Sequence, residues 1–172
     1  MSSPSASRLD SAIRRLETLR SCLDWAAMEA GLHSGPIMEF GLGNGRSYDH
    51  LRKRLPGRDI HVFDRHVAAH PDCIPPKHLL WLGDFRETAP KAIERFAGQV
   101  ALIHGDVGSG DDAASQALSA ALAPYWADLL KDEGILVSDQ PIAEPNFTLL
   151  PLPGGEAGRY FLARRRSRLL RN

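Results

Sequence analysis

Gly35-Pro36-Ile37-Met38-Glu39-Phe40-Gly41-Leu42-Gly43-Asn44-Gly45-Arg46-Ser47-Tyr48 is the stretch that decides the fold. An apolar run ends in an acid, glycines follow at every second position, and a polar segment suited to a helix begins. A strand, a glycine turn and a helix N-terminus that cradle a nucleotide-like ligand have this pattern. Glycine permits positive φ and lets the backbone approach a ligand closely. The spacing is G-x-G-x-G, and Arg46 stands where a dinucleotide fingerprint needs its third glycine. Glu39, two residues before the first glycine, faces an ammonium group comfortably and a pyrophosphate poorly. No Walker lysine follows the turn. The expected ligand is therefore nucleoside-like with a cationic end. Its first contacts are expected from Glu39, Phe40, Gly41, Leu42, Gly43 and Gly45, with Arg46 and Ser47 at the helix start.

Outward from this turn the chain alternates between strands and helices. Ser7, with Asp10 three residues on, reads as a helix cap. Leu9, Ile13, Leu16, Leu19, Leu23, Ala26 and Ala27 then recur at helical spacing as far as Gly31. This predicts one long packing helix without chemistry. Met1 to Ala6 is expected to be a disordered tail, and residues 7–172 one domain. Beyond the glycines, a helix over Ser47–Leu55 precedes a second strand over 59–64. The prolines at 71, 75 and 76 leave room for at most a short helix before a third strand over 79–82. Pro90 suits the first turn of a helix ending near Phe96. A fourth strand over 100–103 precedes a helix over 113–131, which Pro124 should kink or split and Gly134 should close. A fifth strand covers 135–137. Phe147–Leu152 and Arg159–Ala163 then read as an antiparallel hairpin around Pro153-Gly154-Gly155. The expected fold is α/β: a doubly wound, Rossmann-like, seven-stranded sheet, mostly parallel with an antiparallel C-terminal hairpin strand.

Two further acids fall at strand ends. Asp64 ends the second strand about 20 residues beyond the glycines, where a carboxylate can accept hydrogen bonds from ribose hydroxyls. Asp84 ends the third strand beside Phe85, and this acid and ring could bind an adenine amine and its face. Glu39, the glycines, Asp64 and Asp84 thus share the side of the sheet on which ligands bind in such folds.

With these residues in place, the chain resembles the class I S-adenosylmethionine-dependent methyltransferases, most of all small, stand-alone bacterial members. Glu39-Phe40-Gly41-Leu42-Gly43-Asn44-Gly45 is similar to that family's E/D-x-G-x-G-x-G signature, Asp64 and Asp84-Phe85 to its ribose and adenine positions, and the final hairpin to its reversed seventh strand. The departure is the proline-rich segment after Asp64, where family members usually carry a helix. The resemblance implies an enzyme with S-adenosylmethionine as cofactor and in-line transfer of a methyl group. It places His104, Asp106 and Asp139 near that group. His104 joins the cofactor contacts, and Asp106 and Asp139 are expected to be catalytic by lining the acceptor site. Asp106 and Asp139-Gln140 are also similar to the metal ligands of catechol-type O-methyltransferases, but Gln140 replaces an Asn and no metal is assigned.

Other readings fare worse. His104-Gly105-Asp106-Val107 is not the Asn/Asp-Pro-Pro-aromatic motif of amino methylation on DNA bases, and no cysteine follows the fourth strand for cytosine C5 chemistry. The remaining histidines have no metal-ligand spacing and read as polar loop or strand-end residues. The basic tail, Arg164 to Arg168, reads as a solvated end. Lys+Arg and Asp+Glu are equal at 21 each, so charge gives no reason to expect nucleic acid or an anionic membrane as partner. Cys22 and Cys73 form no CxxC pair, and no apolar run approaches the ~20 residues that span a bilayer. A cytoplasmic protein acting on a small-molecule acceptor is expected, with a homo-oligomer as one way to close the pocket. The alternatives are a non-catalytic S-adenosylmethionine-binding protein and a nicotinamide-dinucleotide oxidoreductase.

Overall fold

The structure, a computed structural model, describes residues 6–170, so the expected tail lies almost wholly outside the described residues. Helix α1 (Arg8–Gly31) begins with the capping box read from Ser7 and Asp10: Asp10 N donates to Ser7 Oγ at 3.0 Å and Ser7 N to Asp10 Oδ2 at 3.0 Å. There follow β1 (Ile37–Phe40), α2 (Arg46–Arg54), β2 (Ile60–Asp64), two 3-10 turns in the proline-rich segment, and β3 (Leu80–Leu82). The chain continues through α3 (Phe85–Phe96), β4 (Val100–Gly105), α4 (Asp112–Leu129), β5 (Leu130–Ser138), β6 (Phe147–Leu150) and β7 (Phe161–Arg165).

Among the described residues the strands form one sheet in the order β3-β2-β1-β4-β5-β7-β6. The first five are parallel, and β7 runs antiparallel between β5 and β6. Strand β1 is buried along its whole length, so alternate side chains enter two cores. Ile37 packs with α1 and α2 on one face; Met38 and Phe40 pack with α3 and α4 on the other. The order reverses direction beside β1, which leaves a crevice at the carboxyl ends of β1 and β4.

Several boundaries differ from the sequence reading. Helix α3 starts at Phe85, because Asp84 caps it by accepting from Arg86 N at 2.9 Å, and Pro90 lies inside the helix. Pro124 neither splits α4 nor ends it. Its ring and Ala120, whose carbonyl it leaves without an N–H, are exposed, so water can take that carbonyl. Gly134 does not close the helix: β5 begins at Leu130, and Gly134 lies in an irregular part of it, next to Glu133 at φ 66°. The first turns of α1 overhang the core, leaving Leu9 68% and Ile13 45% exposed.

The basic tail is not a solvated end. Arg164 pairs with Glu29 at 2.8 Å, and Arg165 is buried with its Nε donating to Ala127 O at 2.7 Å. Arg168 reaches Leu130 O at 3.2 Å and Asp132 at 2.9 Å. The C-terminus of α4 presents carbonyls without helical partners and a negative dipole end, and Arg165 and Arg168 answer both.

Candidate active site

The glycine turn crosses directly over the chain leaving β4. Gly41 N donates to Phe63 O at 2.8 Å and Asp106 N donates to Phe40 O at 2.9 Å, tying the ends of three strands together. Gly41 has φ +96°, and a Cβ there would lie 2.0 Å from the Asp106 carbonyl oxygen, so only glycine fits. Gly43, at φ +51°, faces open space. Gly45 starts α2 and backs onto Cys73 of the proline-rich segment, whose irregular turns thus buttress the loop.

A cleft of about 270 Å³ opens here, lined by Gly41 to Asn44, Arg46, Ser47, Asp106 and Gly108, with Arg15, Leu16 and Leu19 of α1 as its outer wall. Helix α1 is therefore not only a packing element. A larger depression of about 790 Å³ lies along the β6–β7 edge, lined by residues such as Thr148 and Arg166, away from the strand ends that carry the acids. The smaller cleft is the candidate site because the glycine turn and Asp106 line it and its residue Ser47 is bonded to the buried Glu39 described next.

Glu39 and His104 lie directly opposite each other across β1 and β4, and both are fully buried. Glu39 Oε1 accepts a short hydrogen bond from Ser47 Oγ and lies 3.6 Å from His104 Nδ1. Among the described residues Glu39 Oε2 and both ring nitrogens of His104 have no hydrogen-bond partner. Burial pulls the His104 pKa down, but Glu39, then Asp106 and Asp139, outweigh it and leave the pKa raised. His104 lies near the end of β4, whereas His61, read as a polar loop or strand-end residue, is buried inside β2 at 2% exposure and accepts from Trp81 Nε1 at 3.1 Å.

Asp64 sits at the expected strand end, but it holds the protein's own loop. Its Oδ2 accepts from Leu42 N at 2.8 Å and Gly43 N at 3.3 Å, and its Oδ1 from Arg65 N at 2.7 Å. Asp84 caps α3 and pairs with Arg65 at 3.0 Å; the Arg86 amide first, then Arg65, hold its carboxyl below the usual range. The rings of Phe40 and Phe85 are not presented to a ligand. Phe40 stacks on Phe63 with centroids 4.3 Å apart, and Phe85 meets Phe40 edge-on at 5.8 Å, all within the α3–α4 core.

At the far end, Asp139 Oδ2 accepts from Gly108 N at 2.8 Å and its Oδ1 from Val107 N at 3.2 Å, fixing the loop after β4. Burial, and then repulsion from Asp106, push the Asp139 carboxyl up. Tyr160, which leads into β7, accepts from Arg15 Nη1 at 2.9 Å; burial and then the charge of Asp106 push its phenol up to about 12. Arg15 and Tyr160 escaped the sequence reading because 145 residues separate them. Among the described residues no group of three or more His, Cys, Asp or Glu side chains could hold a metal ion.

A 3-2-1-4-5-7-6 sheet with a glycine turn and acid at the end of its first strand defines a class I methyltransferase-like protein. The family described as S-adenosyl-L-methionine methyltransferase matches residues 6–165, and the chain belongs to it. A crystallised S-adenosyl-L-methionine methyl transferase from Silicibacter pomeroyi DSS-3 is 41% identical, with a TM-score of 0.89 over 94% of this chain and 99% of that one. Human methyltransferase-like protein 13, solved in complex with SAH, is 11% identical over 97% of this chain and 85% of its own, at a TM-score of 0.55. The antibiotic-resistance methyltransferase Kmr is 11% identical over 96% of each chain, at 0.51. These last two show the fold alone. None of the curated proteins matches the chain significantly. Membership decides against the nicotinamide-dinucleotide and non-catalytic alternatives: this is a methyl-transfer enzyme whose donor is S-adenosylmethionine. Ser47, which lines the cleft, donates to the buried Glu39 carboxylate, whose other oxygen has no hydrogen-bond partner among the described residues, a setting suited to a cationic group.

Proposed function

We propose that this methyltransferase modifies a small-molecule acceptor held between α1 and the ends of β4 and β5, with Asp106 and Asp139 as its catalytic residues. One observation carries the reading: two half-buried carboxylates from successive strand ends stand close enough to repel, Asp106 lining the cleft and Asp139 held to its lining residue Gly108, and the Asp139 carboxyl is pushed up. Raising a carboxyl's pKa makes its ionised form a stronger proton acceptor. Asp106, which lines the cleft, orients the acceptor, and Asp139 accepts its proton. When bound, the donor supplies a methyl group on a sulfonium: the S–CH3 bond breaks as the acceptor–CH3 bond forms.

Donor contacts are assigned to Glu39, Gly41, Leu42, Gly43, Gly45, Arg46 and Ser47, with Asp64 and Asp84 toward the nucleoside and His104 beneath. The wall of Arg15, Leu16 and Leu19 favours a small acceptor over a polymer, and the balanced charge gives nucleic acid no footprint. The cytoplasmic assignment rests on two free cysteines, and no helix among the described residues is long and apolar enough to cross a membrane. A second copy closing the cleft is the expected oligomer. The test is a screen of hydroxyl, amine and carboxylate acceptors with labelled donor, followed by Asp106→Asn and Asp139→Asn. Both variants should bind S-adenosylhomocysteine as the parent does and lose turnover by at least ~100-fold. Undiminished turnover in both would overturn the assignment.

A further inference from the structure

Building on the donor reading of the cleft, we infer that His104 is a positioning residue that charge-balances Glu39 in the donor-free enzyme and surrenders its proton when the donor's ammonium group arrives. Glu39 and His104 are opposed in the β1–β4 register, both at 0% exposure, with a carboxylate oxygen and both ring nitrogens unpartnered. A lone carboxylate in this setting is costly, and a protonated imidazole 3.6 Å away offsets its charge. Among the described residues Glu39 makes no other ion pair; α2 supplies the Ser47 hydroxyl, which is neutral. The other charged or titratable groups facing His104 are Asp106 beyond its own strand and Asp139 beyond β5, both acidic, which favour its protonated form. Tyr160, ahead of β7, is neutral, and Arg15 of α1 is engaged with it.

Bringing an ammonium group to the cleft floor places a second cation beside one carboxylate. The imidazolium is the partner that can be neutralised, by losing its proton to solvent. Linkage then makes donor affinity rise with pH while His104 is protonated in the free enzyme, by up to ~10-fold per pH unit. Above that range affinity levels off. The orphaned ring nitrogens also have a use in this account: neither is locked into one tautomer by a protein partner.

The experiment is calorimetric titration of the full-length protein with S-adenosylhomocysteine in two buffers of different ionisation enthalpy, which counts protons released on binding. The wild-type protein should release a substantial fraction of one proton at about pH 7. Methylthioadenosine, which lacks the amino-acid end, should release none. His104→Gln should bind S-adenosylhomocysteine without proton release and with a flat pH dependence. Because a buried variant can fail to fold, the wild-type imidazole resonances of His104 provide a second measurement: protonated in the free protein, neutral with S-adenosylhomocysteine. Binding without release, an imidazole that keeps its charge, or equal release from His104→Gln overturns the inference. No binding of S-adenosylhomocysteine to folded wild-type protein would instead overturn the reading of the cleft.

Discussion

Replacing Gly41 and Gly43 by alanine, one at a time, separates the two jobs of the glycine turn. At Gly41 the new Cβ would lie 2.0 Å from the Asp106 carbonyl oxygen, where real Cβ contacts are essentially never under 3.0 Å. The turn and the β4 exit must therefore part by about an ångström. Asp106 N to Phe40 O at 2.9 Å holds them together and Gly41 N to Phe63 O at 2.8 Å ties the turn to β2, so relaxation strains both bonds. Left-handed strain and overpacking together cost about 2–5 kcal/mol. For a chain of this size that lowers Tm by roughly 5–20 °C. Gly43 is also left-handed, at φ +51°, but meets nothing within 4 Å. Its alanine variant should lose only about 1 kcal/mol, a few degrees. Because Gly43 lines the cleft, the added methyl should obstruct the donor and weaken S-adenosylhomocysteine binding at least ~10-fold. Thermal unfolding and calorimetric titration of both variants decide the matter. A Gly41→Ala protein melting within ~2 °C of the parent would refute the steric reasoning. Unchanged binding by Gly43→Ala would refute the placement of the donor.

Two further outcomes concern the scaffold. Cys22 is fully buried and its thiol is pushed up to about 11 by burial, while Cys73 is half-buried. Thiol labelling of native protein at about pH 8 should therefore count one fast thiol, and two only after unfolding; two fast native thiols would contradict the packing of α1. Arg168→Ala should cost about 1 kcal/mol, since it removes the cation over the α4 carboxyl end and the partner of Asp132. Burial raises the Asp132 pKa, but the Arg168 contacts outweigh it and the net shift is downward. That part of the stability is present above the unfolded carboxyl value and is lost as pH falls through the folded one. The difference between variant and parent should thus shrink in acid, as denaturant melts at neutral and acidic pH will show.

By itself the sequence determined the order of strands and helices, the glycine turn and the sidedness of Glu39, Asp64, Asp84, Asp106 and Asp139. These are local quantities: an apolar strand, a glycine spacing and a capping serine act within a few residues, and parallel β–α units then place every strand's carboxyl end on one face. Helix boundaries were less legible where a local breaker met a tertiary contact. Pro124 sits inside α4, and β5 starts at Leu130 because it pairs there with Val100. The tertiary structure alone decided what each acid touches. Asp64 proved to be tied to the amides of Leu42 and Gly43, and Glu39 to be set against His104, on two strands that the sequence separates by a whole α–β–β–α stretch. It also turned α1 from a packing helix into the wall of the cleft, joined Arg15 to Tyr160, and drew the basic tail onto the end of α4. Residue type fixes which charges a chain carries. Whether a charge is solvated, paired or left alone in a low-dielectric core depends on neighbours brought from far along the chain, and those decide the chemistry of the site.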